Sequence, residues 1–136
     1  MSFINDSLRD IATYINTIGY GTFAGSPASL NSIYIGLMPD SPSSCITVLP
    51  AGGSLMDPPV RQRIKTFNVQ ILVRDPVYTQ AETKAVNLHS LLNDNWVVLH
   101  TSLRGVLAPT SAPIMYRDEK NYVVFSLNYA ITGQLT

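Results

Sequence analysis

The sequence predicts an α+β fold, a mainly antiparallel β-sheet with two α-helices packed on it and one long projecting hairpin, within a single domain over residues 1–136. Three observations carry that prediction. Two stretches place apolar residues at helical spacing, and several short runs alternate apolar and polar residues as half-buried strands do. Clusters of Pro, Gly, Ser and Asn separate these runs in the order helix, strands, helix, strands.

In the first stretch Ile4, Leu8, Ile11, Ile15 and Ile18 lay one stripe along a helix over residues 4–18. Gly19 suits the left-handed cap that ends it, and GYGTFAGSPASLN reads as a loop. Runs at 33–37 and 45–49 read as strands, and the prolines and serines of PDSPSS between them predict a hairpin. The segment 50–60, PAGGSLMDPPV, breaks regular structure and predicts a mobile loop. In the strand that follows, Phe67, Val69, Ile71 and Val73 alternate with Asn68, Gln70, Leu72 and Arg74, so four large apolar groups share a core face. Asp75-Pro76 stops that strand. Thr79 with Glu82 reads as a capping box for a second helix, whose stripe is Ala81, Ala85, Leu88 and Leu92. Beyond it, 96–99 and 103–107 read as strands, the latter with Gly105 in its middle. Residues 114–116, the polar turn RDEKN and 122–131 form a closing hairpin, in which Val123, Phe125, Leu127, Tyr129 and Ile131 alternate.

Composition narrows the function classes. Apolar residues make up 46% of the chain and charged ones 13%, against a usual charged share of about 25%, which fits a folded domain with surface reserved for partners. Nine Lys and Arg balance nine Asp and Glu, so no net charge draws the chain to nucleic acid or to an anionic membrane. The N-terminus lacks a signal-peptide core and no run is long and apolar enough for a bilayer, which predicts folding in a reducing cytoplasm or in something assembled there. Cys45, the single cysteine, sits in the apolar run SCITVL with no partner thiol and no cationic neighbour to lower its pKa, and reads as core filler.

Residues suited to catalysis are sparse. Cys45, His89, His100 and the scattered acids lack the spacing of a metal site, and the serines show no nucleophile-elbow pattern, so neither cofactor nor metal is expected. His89 and His100 read as polar boundary residues. GYGTFAG follows a helix, whereas a dinucleotide loop follows a strand, so it reads as a cap and linker. More informative are Arg61, Arg63 and Lys65, which share parity with Phe67, Val69 and Ile71. Unpaired cations cannot extend a core face without a cost of several kcal/mol each. Either a bulge changes the parity, or the strand runs beyond the core as one arm of a long hairpin, the favoured reading, in which Arg61, Arg63 and Lys65 are either a solvated hairpin end or a surface for subunit or DNA-channel contacts.

The helix FINDSLRDIATYI, the strand-turn-strand IYIGLMPDSPSSCITVLPAGG, the unit FNVQILVRDPVYTQAETKAVNLHSLL and the hairpin ending in YVVFSLNYAI occur in an order that resembles the tail-terminator or tail-completion proteins of long-tailed bacteriophages, close to the group labelled phage minor capsid protein. The resemblance spans nearly the whole chain. It implies a structural virion protein without a catalytic motif, a homo-oligomer assembling as a hexameric ring at the head-proximal end of the tail. Its implied partners are the major tail tube protein and the head–tail connector protein, with DNA only passing through the ring and no membrane involved. Under that resemblance the subunit or tail interface is expected at Leu55, Met56, Arg61, Arg63, Lys65, Arg117, Asp118 and Lys120. Two other classes compete: a small nucleic-acid-binding α+β domain, for which Tyr122 and Tyr129 would serve as stacking groups, and a small-molecule-binding or hydrolase module, which requires a pocket with convergent polar groups.

Overall fold

The computed structural model describes residues 3–21, 23, 32–39, 43–50, 64–92, 96–97, 103–109 and 112–135, with side chains placed for all but 3–7, 64–67, 96–97, 103–109 and 131–135. Helix α1 (Phe3–Thr17) buries Leu8, Ile11 and Ile15 of the predicted stripe together with Ala12, and Ile18 just beyond its end is half-buried. It stops at Gly19, whose φ of 91° is left-handed. Tyr20 N–H donates to the Ile15 carbonyl at 3.2 Å and Gly19 N–H to that of Asn16 at 3.1 Å, the paired bonds of a Schellman cap.

Strands β1 (Ile33–Ile35), β2 (Cys45–Pro50), β3 (Ile64–Asp75), β4 (Trp96–Val97), β5 (Leu103–Pro109), β6 (Ile114–Arg117) and β7 (Val123–Leu135) form one sheet, ordered β1-β2-β3-β7-β5-β4, with β6 also on β7. The fold is α+β and the sheet is antiparallel except at one edge. There the expected hairpin is corrected, because β1 and β2 are parallel. Ile46 N–H donates to the Ser32 carbonyl at 2.9 Å and Gly36 N–H to that of Val48 at 3.0 Å. Gly36, at φ 85°, turns the chain out of β1 before the predicted strand end, and the connection that follows is long enough to return it to the starting end.

Register aligns the core residues in rows. Ile33, Ile46, Val73 and Phe125 form one, Ile35, Val48, Ile71 and Leu127 the next, and Val69 with Tyr129 a third. Helix α2 (Tyr78–Leu92) covers β3 and β7 on this face while α1 covers β1 and β2, so both helices lie on one side of the sheet. Ala81, Ala85, Leu88 and Leu92 are fully buried, as their spacing predicts. Each large side chain buried in this cluster contributes about 1.5–3 kcal/mol relative to exposure. The opposite face is buried too at its centre: Cys45, Thr47, Leu72, Arg74, Val124 and Ser126 are all closed to solvent. There Gln70 Nε2 and Asn128 Nδ2 both donate to Ser126 Oγ, at 2.7 and 3.2 Å.

The junction of β3 and α2 corrects the capping expectation. Helix α2 begins at Tyr78, with Ala81 N–H donating to the Val77 carbonyl, so Thr79 lies inside the first turn. The start is held from outside the helix by Asp75, whose Oδ1 accepts the Val77 N–H at 2.9 Å. Its Oδ2 takes Lys84 Nζ at 3.0 Å and Ser44 Oγ at 3.1 Å, and Lys84 also donates to Ser44 at 2.7 Å. Burial raises the Asp75 carboxyl, but the Val77 N–H, the Lys84 ammonium and the Ser44 hydroxyl together outweigh it and hold the carboxyl below its ordinary range. One carboxylate thereby joins β2, β3 and α2.

Candidate assembly surface

Strand β6 is exposed at every residue, although it belongs to a sheet whose centre is closed on both faces. Ile114, Met115 and Tyr116 are 54%, 45% and 44% exposed, three consecutive large apolar groups. The strand pairs with β7 from Ile114↔Ser126 to Arg117↔Val123, and its other edge has no strand neighbour among the described residues. An uncovered apolar edge is a site for pairing with another chain.

A tight turn fixes the end of β6. Asn121 N–H donates to the Asp118 carbonyl at 2.9 Å and Asp118 N–H to that of Tyr122 at 3.0 Å, while Asn121 takes φ 64°. This is a type I turn followed by a left-handed residue, a common three-residue hairpin connection. The Asp118 carboxylate is used inside the turn, accepting N–H of Lys120 at 3.0 Å and of Tyr122 at 2.9 Å. Arg117 Nη1 donates to the Asn121 carbonyl at 3.1 Å. Beneath the turn, Met38, Arg74, Arg117, Asp118, Glu119 and Lys120 line an open cleft of about 390 Å³. Arg74 enters it from β3, its Nε donating to the Ser43 carbonyl at 3.3 Å and its guanidinium lying 5.9 Å from the Tyr122 ring centre.

Arg117, Asp118 and Lys120 of the expected interface therefore come together on one turn. Lys65 lies in β3 opposite Gly133 of β7, and the ladder from Ile64↔Gln134 to Asp75↔Val123 is unbroken. No bulge intervenes, so Lys65 keeps the parity of Val69 and Ile71. β2 ends opposite Val69, and the Ile64 end of β3 runs past it, still paired with β7, which is paired in turn with β5. Leu55, Met56, Arg61 and Arg63 lie outside the described residues, as do the predicted loop 50–60 and His100. Sequence reasoning passed over Ile114, Met115 and Tyr116 as surface residues; their run of three without polar alternation was the available signal.

The groups with chemical potential elsewhere are used structurally. His89 Nδ1 lies 2.8 Å from the Tyr129 hydroxyl, and burial pushes the phenol's pKa far up, keeping it protonated. Cys45 is buried as expected, but the reading that it lacks a cationic neighbour is corrected: Arg74 is its cross-strand partner. Burial raises the thiol's pKa, and Arg74 only partly offsets this. Among the described residues no group of three or more His, Cys, Asp or Glu could hold a metal ion, and no helix is long and apolar enough to cross a membrane.

Comparison with known proteins finds both a family and a fold likeness. A family model described as bacteriophage tail terminator protein matches residues 9–135. A chain from the structure titled "Virion of native gene transfer agent (GTA) particle" has the same fold, with TM-score 0.64 and 15% identity over 98% of this chain and 99% of that one. No curated protein sequence matches.

Proposed function

The chain belongs to the bacteriophage tail terminator family, and from that premise we propose that it caps the head-proximal end of the tail tube, stops tube polymerisation and offers the surface that meets the head–tail connector. Membership makes it a structural protein of the phage tail, in a family not known for enzymes. The family match over almost the whole chain is the observation that carries this reading. A cap must present one surface to its own copies and others to tube and connector, and the hexameric ring meets that requirement by repeating one head-to-tail contact around a closed circle. The exposed β6 and its rigid turn supply a surface of the required kind, apolar along the strand and charged at the tip. DNA passes through the ring without sequence recognition, in keeping with nine cations balanced by nine acids.

The test joins mass by light scattering to electron microscopy of the protein mixed with polymerising tail tubes. The expected result is rings at tube ends and a tube length that stops increasing once the protein is added. Tubes that continue to lengthen with the protein bound along their sides would remove the capping role.

A further inference from the structure

The cleft beneath the β6–β7 turn gathers three cations. On the face opposite the helices, register sets Cys45, Arg74, Val124 and Tyr116 in one row, so the Arg74 and Tyr116 side chains stand on either side of Val124. Arg74 is 5% exposed and forms the floor, its guanidinium set against the Ser43 carbonyl and the Tyr122 ring. Arg117 and Lys120 stand exposed at the mouth, and neither is in an ion pair with a described residue. The bond from Arg117 to the Asn121 carbonyl fixes its guanidinium at the turn. Of the two acids in the lining, Asp118 is turned into the hairpin, where it accepts the N–H groups of Lys120 and Tyr122, and Glu119 is exposed. Met38 supplies an apolar wall.

We propose that this cleft receives a carboxylate from another protein of the tail, an Asp or Glu side chain that passes between Arg117 and Lys120 toward Arg74. This rests on the tail reading and gives one of its partner contacts a chemistry. Guanidinium forks match a carboxylate with paired hydrogen bonds, and an ammonium adds a point charge. Such bonds gain strength away from bulk water, and donors already held by the fold lose little freedom when the ligand arrives. A volume of about 390 Å³ admits a side chain, whose methylenes meet Met38. A nucleic-acid backbone fits less well, because its row of phosphates would face Asp118 and Glu119 on a chain of zero net charge. A neighbouring copy has little to insert. Among the described residues its exposed acids are Glu82, which holds the Tyr78 phenol, and Glu119, which lines the cleft itself.

The test has a binding arm and an assembly arm. In the first, the full chain labelled with nitrogen-15 is titrated with glutarate and, separately, with inorganic phosphate. Glutarate should move the amide signals of Lys120 and Tyr122 and leave those of Ile71 and Leu127 in place; phosphate that moves them further at equal concentration would reassign the cleft and overturn the carboxylate. In the second, the chain is assembled on tail tubes with connector present and treated with a carbodiimide, which joins an amine to a carboxylate it touches. Mass spectrometry should find Lys120 joined to an Asp or Glu of another tail protein, and a chain carrying both Arg117→Gln and Lys120→Gln should keep the parent's circular dichroism and bind tails at least tenfold more weakly. The charge-preserving pair Arg117→Lys and Lys120→Arg should bind more tightly than the neutral pair. Lys120 joined to a second copy of this chain overturns the assignment, as does parent-like tail binding by the folded neutral variant with no cross-link at Lys120; both leave the tail reading standing. A parent that binds no tail component, while glutarate still moves the signals, overturns the tail reading and the tail partner with it. Should the neutral variant fail to fold, the titration and the cross-link decide.

Discussion

The β3–α2–β7 body and the β6 rim are parts of one sheet with opposite fates. In the body, Ile71, Leu88 and Leu127 are closed to solvent and even the opposite sheet face is buried at Leu72 and Val124. At the rim, Ile114, Met115 and Tyr116 stand in water on both sides of a short strand. Both carry similar apolar residues, so hydrophobicity does not separate them; neighbours do. Strand β7 has partners on both edges and α2 above it, whereas β6 has one partner among the described residues. The body supplies the free energy that holds the rim in a fixed shape, and the rim keeps apolar surface that the fold does not use.

The largest effect should come from charging the body. Ile71→Asp places a carboxylate among Val48, Leu127 and the α2 stripe without a partner, which costs several kcal/mol and should abolish folding. Circular dichroism and thermal melting check it; a soluble variant with an unchanged melting temperature would contradict the core described here. The inverse pattern is expected for replacing Arg61, Arg63 and Lys65 together by Ser. If these cations form the expected interface, the fold should persist while ring assembly or tube capping fails. Single exposed charge pairs act weakly, at about 0–1 kcal/mol, but a ring repeats every contact. Normal capping by the folded triple variant would take these cations out of the interface, and global unfolding would place them in the body.

At the seam between strand and helix, Lys84→Met removes the amine from Asp75 while keeping the length of the side chain. The buried carboxylate retains the Val77 N–H and Ser44 hydroxyl, and the Lys84 amine is partly hydrated, so the expected loss is about 1–3 kcal/mol in urea unfolding. The pH dependence has a defined sign. Asp75 has a lowered folded pKa, so its contribution is fully present above the ordinary carboxyl value of 3.8 and is lost as pH falls below it through the folded value. Asp75→Asn should flatten that part of the acid-stability curve. An unchanged curve would show that other carboxylates set it.

Legibility in the sequence follows the same division. The stripe of α2 and the alternation in β7 were readable because one face of each packs against one layer, which imposes a single period. Alternation set Arg74 apart from the core face without saying what lies over it, and it is buried beside Tyr122 and the Ser43 carbonyl. Alternation reports parity and does not report what covers the second face. The parallel pairing of β1 escaped because PDSPSS announces a break without giving the direction in which the chain returns. Asp75 and Lys84 are joined across a strand-to-helix turn, a contact with no local pattern. Of the interface, the charged turn RDEKN was visible as a turn, while the exposure of IMYR before it depends on which strands lie next to β6, a tertiary property.

A smaller effect is expected on the second face, where Cys45→Ala removes a buried sulfur next to Arg74. The loss should be about 1 kcal/mol, with assembly retained, since the change deletes roughly one buried methylene equivalent. Failure of a folded Cys45→Ala protein to assemble would give the thiol a role that its burial and raised pKa argue against.

The smallest change tests whether the rim is rigid by backbone geometry. Asn121 holds φ at 64°, a conformation glycine adopts freely, asparagine tolerates, and β-branched residues resist. Asn121→Gly should therefore leave the melting temperature almost unchanged, within about 0.5 kcal/mol, because relief of the left-handed backbone is offset by greater freedom of the unfolded chain. Asn121→Val keeps a side chain of similar size and should cost about 1–2 kcal/mol, concentrated at the turn. Amide exchange separates the two: Asp118 and Tyr122 N–H bonds should exchange at parent-like rates in the glycine variant and faster in the valine variant, with the amides of Ile71 and Leu127 unaffected in both. If valine loosened the body as much as the turn, the rim would not be an independently formed element, and its exposed strand could not be held ready for a partner by the turn alone.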